Sequence, residues 1–457
     1  MDCDPGPEPA RSKLQGLIVR GYTHPHSTHM LFRFTGRTAA AAFVKALLPR
    51  LQSGADWGTA KPAMMLNIGL TFAGVKIATA LGSDLNRFPM VFQKGPTSKW
   101  SQQTLYDLGD SAPENWWAKN FAPGDLHCIV HAYALDEAAE KEIVAFIADA
   151  ATSAGVTELF GTADKSRFTQ AQFKDDLIQF GYRDGISNPS LQWPTSGKPF
   201  DAGTLDNFVL GYPACTPFSP GPAGDNAAAR FAKDGCYNAF RVIAQDVAGF
   251  ETFLDEAAKG VVTTLGMPTA EAREWIAAKI MGRWRNGSPL VLSPETPDDA
   301  TRDVKAFVYA DDKAGLRCPI SAHIRVSNPR DQSVFPANFP APRLIRRGMP
   351  YGPPGLEPGA DRGLIGLFLC GALDRQFETV YAWMNQNTFS DVFSPKFNTQ
   401  DAVVGTRARV GVDTQFVAQT AKGEIHCTMP QFLTTRGTAY CLMPSIAALE
   451  AIADQRV

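Results

Sequence analysis

A chain of 457 residues, 44% apolar and 20% charged, has the composition of a soluble globular protein and is too long for one ordinary core, so two domains are expected. Its 44 Lys and Arg nearly balance 46 Asp and Glu, a net charge of −2, which argues against a nucleic-acid surface or a polybasic membrane patch. No apolar run approaches the ~20 residues that a membrane-spanning helix needs.

The opening MDCDPGPEPARSK has neither an apolar leader core nor twin arginines, and its Pro, Gly and charge suggest a flexible tail over residues 1–13. HMLFRFTG then reads as a strand and RTAAAAFVKALLPRL as a helix. AMMLNIGLTF and AGVKIATAL repeat strand and helix. LHCIVHAYAL is a third strand, followed by DEAAEKEIVAFIADAAT, a helix with an acidic first turn. The order returns in the second half, as CYNAFRVIAQDV with AGFETFLDEAAKG, then GLIGLFLCGAL with DRQFETVYAWMNQ. A recurring strand–helix unit predicts an α+β fold, a duplicated antiparallel sheet with helices on one face. The Gly-, Pro-, Ala- and Asp-rich stretch 219–235 is the expected join, giving domains 14–230 and 231–457. A second long loop, residues 348–363, is of a length that often carries function.

The eight cysteines, at 3, 128, 215, 236, 318, 370, 427 and 441, include no Cys-x-x-Cys pair, which argues against zinc knuckles, iron–sulfur ligation and covalent haem attachment. Several lie in apolar runs, where a thiol behaves as a small buried hydrophobe. A reducing cytoplasm is the expected location.

Seven histidines are few enough to weigh singly. His24, His26 and His29 in THPHSTH are dense enough to mimic a metal site, but their setting predicts a solvated loop before the first strand. His127 and His131 are four apart without the Glu of a zincin, so they read as core or sheet-face residues. His426 has no evident partner and reads as structural. His323, in CPISAHIRVSNPR, is taken alone a satisfied core histidine. Arg325 lies two residues on, facing the same side if the chain is extended, and PRLIRRGMPYG follows with more arginines. An imidazole beside several cations suits an anionic partner that carries its own metal. Haem fits, with iron for His323 and propionates for arginines such as Arg325.

FGYRDGISNP, residues 180–189, resembles the Gly-x-x-Asp-Gly signature of the dye-decolorizing peroxidases. LQGLIVRGY, NFVLGYP, GRWRNGSPL, CPISAHIRVSNPRD, RRGMPYG and DRQFE…W resemble further blocks of that family, in its order, from about residue 14 to the C-terminus. The resemblance implies two ferredoxin-like domains with a β-barrel-like core, and non-covalent haem b in the C-terminal domain. It implies a peroxidase that reduces hydrogen peroxide and oxidises small aromatic reductants such as dyes and phenols.

Residue by residue, the resemblance makes His323 the iron ligand, Asp184 the distal acid and base, and Arg346 the charge stabiliser, with Arg347 as fallback. Gly181 and Gly185 would let the backbone approach the macrocycle, with Ile186 and Ser187 beside it. Arg183 is divided between structure and a propionate. Asp401, in TQDAVVG, would accept from the second nitrogen of His323, although Ala402 replaces the family's proline; Glu378 is the alternative. Leu367 and Leu369 would form the ceiling above the iron. Relatives often carry Phe at the second of these, so Leu implies a roomier ceiling.

These residue types suit the chemistry. Heterolysis of the peroxide O–O bond needs a base that becomes an acid and a cation for departing negative charge. An aspartate of reference pKa ~4 is raised by burial and lowered by a neighbouring arginine, so turnover should be favoured at acidic pH. The alternative is a haem- or porphyrin-binding or delivery protein with little turnover; a haem-free assembly module is a third reading. No nucleic-acid or membrane partner is expected, and a homo-oligomer stays open. Tyr381, Trp383 and Tyr440 are aromatic relay candidates, and none is singled out.

Overall fold

The computed structural model describes residues 6–117, 121–122, 124–159, 168–195, 201–213, 224–332, 340–357, 359–386, 400–408 and 414–457. Its strands are β1 (His26–Arg33), β2 (Met64–Leu70), β3 (Cys128–Ala134), β4 (Thr157–Leu159), β5 (Phe168–Ala171), β6 (Cys236–Gln245), β7 (Ile345–Arg346), β8 (Met349–Tyr351), β9 (Gly363–Cys370), β10 (Gln415–Thr420), β11 (Gly423–Thr428) and β12 (Leu433–Met443). All but β10 and β11, which form a separate hairpin, join one sheet in the order β4-β1-β3-β2-β12-β6-β9-β7, with β5 beside β1 and β8 beside β9.

The duplication lies in that order. In the first half, strand, helix, two strands, helix and strand fold as β4-β1-β3-β2. In the second half the same permutation returns as β12-β6-β9-β7. The two ferredoxin-like units meet edge to edge where Leu70 of β2 pairs Leu442 of β12. At the far edges, Gln170 of β5 donates to Ile365 O of β9 at 2.9 Å and to Met349 O of β8. The two outer edges thereby meet, and the core is barrel-like.

Side chains alternate across this sheet. Leu31, Ile129, Phe240, Leu367, Leu369 and Cys441 fill the barrel interior. Their neighbours Phe32, Val130, Tyr237 and Leu442 face the helices Arg37–Leu47, Glu137–Ala154 and Ile446–Ala453. The second of these is capped by Asp136, which accepts from Ala139 N, and ends at Gly155 in the left-handed region. A third core lies under Val247–Leu265 and Thr269–Met281.

Several expectations are corrected. THPHSTH is no solvated loop: His26 and His29 belong to β1, and His24 and His29 are fully buried. His24 Nε2 bonds Pro62 O at 2.8 Å, and His29 faces His131 inside the barrel, because β1 starts earlier than the apolar run suggests. His426 has a partner, Glu424, 3.0 Å away on the same exposed strand face. The expected join contains the helix Ala227–Ala232, while residues 219–223 and the cysteines at 3 and 215 lie outside the described residues. The six described cysteines are buried and free. Among the described residues no helix is long and apolar enough to cross a membrane.

Candidate active site

The segment from residue 177 to 188 follows the first unit in sequence but is anchored in the second. Ile178 N bonds Tyr182 O and Gly181 N bonds Ile178 O, a tight hairpin turn. Phe180 is fixed against Phe250, with ring centroids 4.5 Å apart, and Tyr182 Oη donates to Ala277 O at 2.8 Å. Gly181 takes a φ of 78°, and a Cβ there would lie 2.5 Å from Arg285 Nη1. This glycine therefore makes room for Arg285, which holds Phe180 O, rather than for a macrocycle. Gly185, φ 79°, has open space where a Cβ would stand.

The turn aims Asp184 into a cavity of about 230 Å³. Its Oδ1 accepts from Arg346 Nη1 at 3.0 Å, and both side chains are about one-third exposed, towards that cavity. Arg346 is held by the ladder opposite Phe368 and by its N–H, which donates to Asn188 Oδ1 at 2.9 Å. Arg347 points the other way, donating from Nε to Leu17 O. Desolvation alone would raise the Asp184 carboxyl; Arg346, the Gly185 N–H and His323 outweigh it and hold the group below its ordinary value.

His323 lines the same cavity. It is the first residue of the short helix His323–Ser327, and its Nδ1 lies 2.9 Å from Asp401 Oδ2. Asp401 is fully buried, and its Oδ1 accepts from the N–H groups of Val403 and Val404, both at 2.8 Å. A carboxylate acceptor requires the proton on Nδ1 and leaves a lone pair on Nε2. Glu378 lies elsewhere, bound to Tyr440 Oη at 2.7 Å.

Of the expected site residues, Gly185 and Asp401 adjoin the cavity lining without forming part of it, and Arg325 and Leu369 lie away from it. Arg325 was placed beside His323 on the premise of an extended chain, but the segment is helical. Arg325 is fully buried and bound to Asp312, Cys318 O and Gln332. Leu369 faces the barrel interior. The cavity is lined instead by Leu364, Gly366 and Phe368, with Leu367 contributing between them. The half-buried pattern at 364 and 368, against buried 365, 367 and 369, marks the cavity face. Ile186 and Ser187 also line it.

Arg183, Arg283, Arg330 and Arg343 complete the rim. Arg183 pairs with Asp303 at 2.7 Å. Arg283 bonds Gly287 O, Val304 O and Ser187 Oγ, and Arg343 bonds Ser187 O, none of them carboxylates. Desolvation and then neighbouring arginines push both guanidinium groups down to about 10. Sequence reasoning missed Arg283 and Asn188, the latter hinted at only by the Ser-Asn-Pro corner, and had Arg343 only as one of the arginines of PRLIRRGMPYG. The cavity thus offers one free imidazole nitrogen, a carboxylate–guanidinium pair and surplus positive charge, the donor set for an anionic, metal-bearing group.

No family model matches the chain. The dye-decolorizing peroxidase msp1 of Mycetinis scorodonius is 26% identical over 86% of this chain and 77% of its own. The multifunctional dye peroxidase DyP2 of an Amycolatopsis species is 30% identical over 61% of each chain. A solved dye-decolorizing peroxidase in complex with 2,6-dimethoxyphenol superposes with a TM-score of 0.77, at 22% identity, over 97% of this chain and 99% of its own.

Proposed function

We propose that the chain is a dye-decolorizing peroxidase, one of a family of enzymes that use hydrogen peroxide, and that its cavity holds haem b between His323 and the Asp184–Arg346 pair. The observation that carries this reading is the single cavity with an Asp401-tethered imidazole and the carboxylate–guanidinium pair both in its lining. His323 would ligate the iron through Nε2. Gly185, Ile186 and Ser187 would lie beside the macrocycle, and Arg283 and Arg343 suit its propionates. The haem supplies the iron that binds peroxide and accepts its oxidising equivalents.

The remaining work falls to the chain. Asp184, ionised because its carboxyl is held low, accepts a proton from incoming peroxide through the oxygen not engaged by Arg346 and returns it to the leaving oxygen. Arg346 stabilises the negative charge that builds on that oxygen. Asp401 keeps the His323 proton on Nδ1 and increases the basicity of Nε2. Small phenols and dyes are the reductants that the relatives' names suggest. Residues 14–230 and 231–457 are then the two domains, with the Asp184 hairpin of the first docked on the second. Six free buried cysteines suit a reducing cytoplasm.

The test is optical. Protein supplied with haem should absorb near 400 nm and respond to peroxide within a rapid-mixing experiment. A haem-binding protein without turnover would keep the absorption and show no such response.

A further inference from the structure

Resting on the haem-peroxidase reading above, we propose that Gln170, Gln179 and Asn188 are positioning residues for the peroxide reaction, a clamp of neutral side-chain amides that registers Arg346 against Asp184. The strand that carries Arg346 is short of other support. β7 and β8 are two and three residues long and pair with β9, and among the described residues neither has a second neighbour in the sheet. The ion pair with Asp184, at 3.0 Å with both side chains about one-third exposed, holds a long guanidinium arm only loosely.

Three amides supply what the ladder lacks, and all come from residues 170–188, the segment that also carries Asp184. Asn188 Oδ1 accepts from Arg346 N at 2.9 Å. Gln179 Nε2 donates to Tyr351 O at 2.8 Å. Gln170 Nε2 donates to Met349 O and, at 2.9 Å, to Ile365 O, so one side chain ties β8 and β9 together. Gln179 precedes Asp184 and Asn188 follows it, so the loop that presents the carboxylate holds the Arg346 strand from both of its arms. Neither chain can slip past the other without breaking both bonds, and a slip of ~1 Å can cost a reaction ~100-fold.

The residue type matters. Gln170 Oε1 accepts from Ser27 Oγ at 3.0 Å and lies 2.7 Å from His29 Nε2, which turns the Gln170 Nε2 towards the two carbonyls. A neutral amide accepts and donates at once, whereas an ionised glutamate at 170 or 179 would face carbonyl oxygens with no proton to give. An aspartate at 188 could accept the same N–H but would bring a second negative charge to the guanidinium that Asp184 engages.

The experiment follows the reaction of the haem-loaded chain with hydrogen peroxide by rapid mixing. Asn188→Ala and Gln179→Met, the second keeping the volume while losing the donor, should each slow it at least fivefold with the haem absorption unchanged. In an Arg346→Leu background the same changes should cost less than twofold, because they act through the guanidinium. An equal loss in both backgrounds would make the amides merely structural, and no loss in either would leave Arg346 positioned without them. Each of those results overturns the clamp while the haem site stands. Should Asn188→Ala fail to fold, Gln179→Met decides alone. A haem-loaded parent with no peroxide response overturns the functional reading, and the clamp with it.

Discussion

Two histidine settings in this molecule invite comparison. In the barrel interior His29 and His131 meet Nδ1 to Nδ1 at 3.0 Å. His29 Nε2 lies 2.7 Å from Gln170 Oε1, and His131 Nε2 lies 3.4 Å from Asn238 Nδ2. Every ring nitrogen has a neutral partner, and burial pushes His29 down to about 4. His323 has one nitrogen tied to a carboxylate and the other unspent beside a cavity. The difference teaches that a histidine is available as a ligand where one nitrogen is left unsatisfied and the other is tethered by a charge, not where histidines are dense in the sequence.

Substitution can break the comparison at its strongest point. His323→Ala should abolish stable haem absorption, while His131→Ala should retain it. Equal retention in both would remove the distinction. Next in size, Arg346→Leu should keep the haem yet slow its reaction with peroxide by ~100-fold or more, read by rapid mixing. Asp401→Asn should lower activity or haem affinity by ~10–100-fold and alter the iron's spectrum, because the tether no longer fixes the charge on the ring. His131→Ala should instead lose about 1–3 kcal/mol of folding stability by denaturant titration, with peroxide reactivity unchanged, since it strands buried partners.

The two settings should also differ with pH. The His29 pKa is depressed on folding, so the unfolded chain binds more protons below its ordinary value of ~6.5. Stability should be full above that value and decline as pH falls towards about 4. Asp184 titrates below the ordinary carboxylate range, so it stays ionised and able to take the proton of peroxide at every pH above that range. The reaction with peroxide should therefore hold level from about pH 5 to about pH 8 and slow only as pH falls through and below the ordinary carboxylate value of ~4, in place of the acid-favoured profile expected from the sequence; a steady fall between about pH 5 and about pH 8 would count against the carboxylate.

β3 and most of β1 were legible as apolar runs, buried on both faces, and Glu137–Ala154 as a helix with its acidic first turn. The helix Thr269–Met281 was not, since Trp275–Met281 is buried on all sides and shows no single apolar face. β7 and β8, two and three residues long, carry no readable period, yet β7 positions Arg346. Asp184 and Arg346 stood out only through ordered family blocks, because each is locally unremarkable, whereas His323 was raised first by the arginines around it. Arg325 and Leu369 were misplaced for one reason each: a helix where a strand was assumed, and the wrong face of β9.

A crystal structure of the haem-loaded chain tests the central claim most directly. It should show His323 Nε2 on the iron, its Nδ1 still on Asp401, and Asp184 with Arg346 on the opposite face of the porphyrin. Iron held by any other residue, or the residue 184 hairpin withdrawn from the porphyrin, would contradict it.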